Sequence, residues 1–545
     1  MSKIAKIIKK EQEEKQQYKL AKKDQIVTNF MNGESYVINP LDTLKMVTAS
    51  SIFGEPSYYR SSDCISTKPH KLVNNCISTI PYGLTTDKLM EQVIDEALEY
   101  DYSSVLFWAT NLRKTFNMRL NPQIIMVRAA LHPNRKTYTT MCPGSFGKIN
   151  CSVMSRADDV MVQMAYYMYL MKDKKNIPSI LKRSWAKKIS NLDRYEVAKY
   201  KNHEIGLINA VRICHANSPV IDELMTTGAV KVSQEEKTWE NLRSQGMSWK
   251  DIVNTTHMGH MALLRNMRNV FTEINDIEFC KKYIERLKKG VENGKQFPFR
   301  YYTALKVLKK SSCNHKQMLE DGLVECMEIA MKNLPKLKGR TICLSDNSGS
   351  AWGTFNSEYG SVTIADIDNL SSVISAFNSD EGFVGTFGNN LKVQSISKKK
   401  SVLEQTKELD TGVGGATEAG IWKFFQKAID NKEHWDNIFI YSDMQAGHGE
   451  LYGSPSEMNE YHARYGKTKG WNTHINVYEL ILEYRRKVNP KVNVFSVQTA
   501  GYDNVVVPEM AYRTAILYGW TGKELTFANE YINLWNEIEE KETKN

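Results

Sequence analysis

Asp346, Ser348 and Ser350 form a D-x-S-x-S pattern directly after the apolar run Thr341-Ile342-Cys343-Leu344. One carboxylate and two hydroxyls suit a hard divalent cation that keeps part of its water shell, with Mg²⁺ the natural choice. The carboxyl end of a strand in an open α/β sheet is where loops and helix N-termini converge on ligands. Two later segments offer further oxygens. Gly414-Gly415-Ala416-Thr417 precedes an apolar helical pattern, and Ile438-Phe439-Ile440-Tyr441-Ser442 reads as a buried strand ending at Asp443. Asp346, Ser348, Ser350, Thr417 and Asp443 are therefore predicted to converge on one octahedral oxygen site. The competing reading is that the hydroxyls cap helices and the two aspartates end strands by chance. Three elements in chain order, each at a strand or loop terminus, favour the cation.

The elements that must position these residues belong to two different patterns. From about 85 to 335 the apolar spacing is helical, as at Leu89, Val93, Ile94, Ala97 and Leu98, and again at Leu319, Leu323, Cys326, Ile329 and Ala330. Pro and Gly punctuate it, at His132-Pro133, Cys142-Pro143-Gly144 and Phe297-Pro298. Many helices with short joins predict a HEAT-like helical solenoid of degenerate repeats. After Gly339 the pattern changes to strand-length apolar runs at 341–345, 382–387, 391–396, 437–442 and 492–499. Helical stretches lie between several of them: Ile364, Ile367, Leu370, Val373, Ile374 and Phe377 share one face, as do Ile421, Phe424, Phe425 and Ala428. Alternating strands and helices predict a mainly parallel, doubly wound sheet. Gly388-Asn389-Asn390 marks a hairpin that adds one antiparallel strand, and 525–538 reads as an amphipathic closing helix. The expected division is a polar arm over 1–24, a helical domain over 25–336 and an α/β domain over 337–545.

Composition narrows the function classes. At 545 residues the chain is too long for one ordinary core. Its 41% hydrophobic and 25% charged residues are those of a soluble globular protein. No apolar run is long enough to span a bilayer, the amino-terminal residues lack a signal-peptide core, and membrane partners are not expected. The nine cysteines are scattered without zinc spacing, which predicts reduced thiols and a cytoplasmic protein. A net charge of +10 permits nucleic-acid binding without requiring it.

The oxygen constellation resembles the metal-ion-dependent adhesion site of von Willebrand factor A domains. In that family the serine and threonine hydroxyls touch the metal, the aspartates often act through water, and a partner's carboxylate fills the open position. Asn347 stands where a small apolar residue is usual, and Trp352 follows the motif. Three helical segments carry a second resemblance. Met258-Gly259-His260-Met261-Ala262-Leu263-Leu264-Arg265-Asn266-Met267-Arg268 is similar to the T-A-L-L-R-N-L stretch of the TROVE module. Phe297-Pro298-Phe299 through Ala304-Leu305 is similar to its H-P-F-x-x-x-x-A-L segment, and Arg183-Ser184-Trp185-Ala186-Lys187-Lys188 through Tyr200-Lys201 to its basic region. TROVE followed by an A domain is the arrangement of the Ro autoantigen family of RNA-binding proteins, and the resemblance covers roughly 25–540.

That resemblance implies a helical ring closed by the A domain. It also implies Y RNA-like small RNAs on the outer basic surface, and single-stranded ends of misfolded RNA in the central hole. Lys187, Lys188, Arg194, Lys199 and Lys201 would neutralise phosphates, while Tyr195, Tyr200 and His203 would stack on or hydrogen-bond unpaired bases. Without the resemblance, such a stretch reads as a solvated basic helix face. For His257, His260, Arg265 and Arg268, RNA contact and a structural network between repeats stand about even. The favoured function is an RNA-binding scaffold in RNA quality control or stabilisation, with no chemistry of its own and a possible protein partner, such as an exoribonuclease, at the metal site. The alternative is a metal-dependent protein-interaction module that binds an acidic residue without RNA. An Mg²⁺ phosphatase or nuclease would be expected to gather more carboxylates than Asp346 and Asp443.

Overall fold

A computed structural model describes residues 26–28, 34–36, 40–50, 86–172, 176–200, 205–233, 237–256, 258–294, 296–353, 363–416, 418–443, 450–452, 459, 463–464, 474–499, 512–518 and 522–543. The arm over 1–24 and most of the 447–471 loop lie outside them. The chain forms two compact units, Ile94–Pro335 by itself and Met1–Val93 together with Lys336–Asn545. Within the helix Thr86–Lys114, Asp101 leaves helical geometry (φ −154°, ψ 88°). Its carboxylate accepts the Ser104 backbone N–H at 2.9 Å, capping the second half as if a new helix began there.

Every regular element described in Ile94–Pro335 is a helix. Near neighbours in sequence pack on each other, as a solenoid requires. Leu120–Leu131 lies on Ala157–Met171, Ser145–Val153 on Ser179–Ser190, and both Ile277–Gly294 and Pro298–Lys309 on Lys316–Met331. The buried faces are aliphatic and aromatic, with one polar knot. Gln163 donates to Gln123 and to Asn150, each at 2.7 Å, and its carbonyl accepts the Trp185 indole N–H at 2.8 Å. All four side chains are buried. Their mutual satisfaction fixes the register of four helices, because shifting any one would strand a buried amide.

In the second unit, β3 (Leu337–Asp346), β4 (Ser379–Phe387), β5 (Leu391–Ser395), β6 (Asn437–Ser442), β9 (Asn493–Gln498) and β10 (Thr514–Tyr518) form one sheet in the order β10-β9-β6-β3-β4-β5. All pairings are parallel except β4–β5, the hairpin anticipated from Gly388-Asn389-Asn390. The β6 strand is buried at all six positions, as a central strand covered on both faces must be. The helix Ile364–Phe377 packs on β3, β4 and β6. A doubly wound α/β unit after a helical-repeat unit is thus the observed fold class.

Two features depart from expectation. The sequence pattern places 25–93 in the helical domain, yet the Pro40–Ser50 helix packs on β10 and on Glu524–Thr543, within the α/β unit. Its buried Leu41, Leu44 and Val47 make an ordinary apolar stripe. Such a stripe states that a helix is covered but not by what. Ahead of it, β1 (Ile26–Thr28) and β2 (Glu34–Tyr36) form a small antiparallel ladder in a region expected to be helical, and β7 (Glu450–Tyr452) and β8 (His474–Asn476) form a second short antiparallel ladder in the α/β unit. The edge strand β10 was not anticipated either. A five-residue run with four apolar positions is too short for its period to separate strand from helix.

Candidate metal centre and nucleic-acid interface

The parallel register places the ends of β3 and β6 side by side, with Ser345 opposite Tyr441. Asp346 and Asp443 therefore emerge together at the carboxyl edge of the sheet, both fully buried. Asp346 is held from two sides. One oxygen accepts the Ser348 backbone N–H at 2.8 Å and the other the Ser442 hydroxyl at 2.6 Å. The Ser348 and Ser350 hydroxyls meet at 3.1 Å. The Gly-rich segment lies against this turn: Gly349 N–H donates to the Gly415 carbonyl at 2.9 Å. A Cβ on Gly349 would stand 2.9 Å from that carbonyl oxygen, so the approach requires glycine. Ala416 N–H is tied to Asn389 at 2.8 Å. Asp346, Ser348, Ser350 and Asp443 are thus gathered at one edge. Thr417 lies outside the described residues.

Glu418, the next residue, supplies a carboxylate that motif reasoning missed. Ligand oxygens of Asp346, Glu418 and Asp443 all lie within 4.8 Å of one another, and all three residues are buried. Packing buried carboxylates this closely is costly unless a cation or protons neutralise them. Burial pushes the Asp346 carboxyl above its usual range, against the hydrogen bonds from Ser442 and Ser348. The donor set, carboxylates with flanking hydroxyls, fits a hard divalent cation. Asn347 also finds its reason. Its amide pairs reciprocally with Asn369 at 2.9 and 3.0 Å, and the Ser345 hydroxyl joins the same Asn369 oxygen at 2.7 Å. The residue that breaks the usual pattern ties the turn to the Ile364–Phe377 helix. Trp352 stands beside the centre, 43% exposed.

On the helical unit, Lys187 and Lys188 close the Ser179–Ser190 helix, where cations complement the helix dipole. Lys187 is exposed; Lys188 reaches the Ser155 carbonyl at 3.4 Å. The adjoining Arg156 donates to the Tyr200 hydroxyl at 2.8 Å and sits over its ring, while the Lys199 ammonium lies 5.4 Å from the Tyr195 ring centre and 5.5 Å from that of Tyr200. Arg119 and Arg156 share Asp158 at 2.6 and 3.0 Å. Burial works against the Asp158 carboxylate, but these two guanidiniums hold it below its usual range. With Arg113 beside Asp159 at 3.8 Å, three arginines face two aspartates, so the cluster keeps an excess positive charge. Spacing alone could not reveal Arg119 and Arg156, since the contacts span up to 44 residues of sequence.

Other expected contacts are placed differently. Arg194 is committed to Glu223 at 2.7 Å and to the Lys231 carbonyl at 3.0 Å. Lys201, His203 and His257 lie outside the described residues. Arg265 and Arg268 are exposed one turn apart on the His260–Glu273 helix, and no described carboxylate pairs with either. Asn266 is buried and bonds the Ala262 carbonyl within its own helix at 2.9 Å. His260 bonds the buried Tyr301 hydroxyl at 2.7 Å and packs where Gly290 and Gly294 leave room, a structural contact between helices.

None of the described helices is long and apolar enough to cross a membrane, and the seven described cysteines are free thiols. No protein-family model matches the sequence, and no curated protein does. Among solved structures, the Ro (RSR) protein of Deinococcus radiodurans is similar with a TM-score of 0.58 at 13% identity, over 80% of this chain and 93% of that one. The helical-repeat and α/β units together thus reproduce the fold of a Ro protein.

Proposed function

We propose that this protein is the protein component of a ribonucleoprotein. It binds small structured non-coding RNA of the Y RNA type together with single-stranded ends of misfolded RNA, and it serves RNA quality control or stabilisation in the cytoplasm. The observation that carries this reading is the continuous basic surface from Lys188 through Arg156 to Tyr200 and Lys199, on a fold shared with a Ro protein. Excess cations there offer phosphate contacts, and cations resting on tyrosine faces mark positions where an unpaired base can exchange with them. The divalent-cation centre is a separate site for an acidic group of a protein partner, such as an exoribonuclease. The protein itself performs no chemistry.

The test is recovery and sequencing of RNA that copurifies with the full chain from its own cells, followed by mobility-shift titration of that RNA. Enrichment of one or a few structured small RNAs supports the reading. Purification free of RNA, with no shift of a hairpin carrying a single-stranded tail, overturns it. Glu418 brings the centre closer to the carboxylate-rich sites of phosphoryl-transfer enzymes. Incubation of the same RNA with Mg²⁺ is therefore the companion assay, and cleavage abolished by Asp346→Ala would overturn the non-enzymatic reading.

A further inference from the structure

Two stretches of the helical unit are free of acids. Between Asp251 and Glu273, and again between Glu292 and Glu320, the sequence holds no Asp or Glu. They contain nearly all of the His260–Glu273 helix and the whole of Pro298–Lys309. Glu273, which ends the first helix, is taken up by Arg243. The two helices pack on each other. Near their starts His260 bonds the Tyr301 hydroxyl at 2.7 Å, and at their ends the Asn314 N–H donates to the Phe271 carbonyl at 2.8 Å. They therefore run side by side in the same direction, 41 residues apart at the His260–Tyr301 contact. The same offset sets Arg265 beside Lys306 and Arg268 beside Lys309. Arg265, Arg268 and Lys309 are exposed, and among the described residues no carboxylate pairs with them.

The helices that follow each of these two are built differently. Ile277–Gly294 carries Glu278, Glu285 and Glu292, and Lys316–Met331 carries Glu320, Asp321, Glu325 and Glu328. Lys281 pairs with Glu278 at 2.7 Å, and Lys288 with Glu285 and Glu325 at 2.8 and 2.6 Å. An ordinary solvated face mixes both signs in this way. Cations alone at matching positions of neighbouring helices repel one another until a polyanion covers them. Four helices lie in chain order between this face and the Arg194–Tyr200 helix, so it is a second basic surface. It also differs in kind. The large apolar side chain exposed on these two helices is Val307, and no aromatic ring is exposed on either. An unpaired base has nothing to stack on there. Cations without rings address phosphates, which an A-form duplex presents without unstacking.

We propose that the solvent face of His260–Glu273 and Pro298–Lys309 binds the double-helical part of an RNA through its phosphates, with Arg265, Arg268 and Lys309 as the contacts. This rests on the RNA reading above and divides the labour within it: the tyrosine-bearing surface at Arg156, Lys199 and Tyr200 takes the unpaired strand.

The experiment is a mobility-shift titration of the full chain at several salt concentrations with two probes, a blunt-ended RNA duplex and an unstructured oligouridine, with poly-glutamate as a third ligand. The test variant is Arg265→Gln/Arg268→Gln/Lys309→Gln. The control, Lys281→Gln/Lys282→Gln/Lys289→Gln, removes the same charge from the Ile277–Gly294 helix. The test variant should bind duplex at least about tenfold more weakly, with a log–log salt slope shallower by about 2 to 2.7. It should keep the parental circular dichroism spectrum and hold oligouridine within about twofold of the parent, as the control should hold both probes. Parental duplex affinity in the test variant overturns the face and leaves the RNA reading of the other surface standing. Equal loss of both probes overturns the assignment to duplex, and equal loss in the control shows net charge at work and overturns the site. Loss of poly-glutamate binding with duplex binding intact assigns the face to an acidic protein instead. Failure of the unaltered chain to bind either RNA removes the RNA reading itself, and this proposal with it.

Discussion

Replacing Lys187 and Lys188 together by Ala removes two cations from the basic surface without disturbing its core, because Lys187 is exposed and Lys188 makes only a long contact to a backbone carbonyl. If each neutralises one phosphate, the slope of log affinity against log salt becomes shallower by about 1.4 to 1.8. The same relation, taken at ~0.15 M salt, places the loss of affinity at about 15- to 30-fold. Arg194→Ala should behave differently. Its guanidinium already pairs with Glu223 at 2.7 Å, so an RNA phosphate gains little by replacing one anion with another. The expected loss is below about threefold, with almost no change of slope. Glu223→Gln should strengthen binding, because it frees Arg194 and removes a negative charge. The assay is a mobility-shift titration of a hairpin with a single-stranded tail at several salt concentrations, with melting curves to show each variant folded. A Lys187/Lys188 double variant with the parental slope would refute the placement of RNA on this surface. So would an Arg194 variant that loses as much as the lysine pair.

Asp346→Ala should leave RNA affinity within about twofold, since it lies in the other unit from the basic surface; a parallel loss in the same titration would show that the two are coupled. For Asp368→Asn the sign follows from the raised carboxyl. The folded chain holds that proton to higher pH than the unfolded chain, so stability from this source is full below the ordinary carboxyl value of 3.8 and declines as pH rises through the folded value. Asp368→Asn should therefore gain stability relative to the parent as pH rises from mildly acidic to mildly alkaline buffer; a melting-temperature difference independent of pH would contradict this. Glu539 is the opposite case. Arg513 lowers its pKa from 4.5 to about 2, so its contribution is full above 4.5 and lost as pH falls through about 2. Glu539→Gln should lower the melting temperature at neutral pH, by an amount that shrinks on acidification. Finally, Gln163→Leu strands the Trp185 indole N–H, the Asn150 amide and the Gln123 amide oxygen, all buried. At about 1–3 kcal/mol for each stranded group, the cost should be about 3 kcal/mol or more, read from urea unfolding by Trp fluorescence.

What the sequence by itself determined is what local spacing encodes. The runs at 341–345 and 437–442 announced β3 and β6, because a strand buried on both faces reads as a nearly continuous apolar run. The D-x-S-x-S turn was legible because its oxygens sit within five residues, held by the Ser348 N–H to Asp346 bond and the Ser348–Ser350 contact with Gly349 between them. Only the tertiary structure decided which distant groups share that edge. Glu418 reaches Asp346 and Asp443 through the Gly349–Gly415 approach. Within the helical repeats, Arg119 and Arg156 gather on Asp158, and Arg156 on Tyr200, through packing that no period records. The Pro40–Ser50 helix makes the same point in reverse. Its apolar stripe packs on β10, hundreds of residues away, because an apolar face specifies that water is excluded and leaves the excluding surface to the fold.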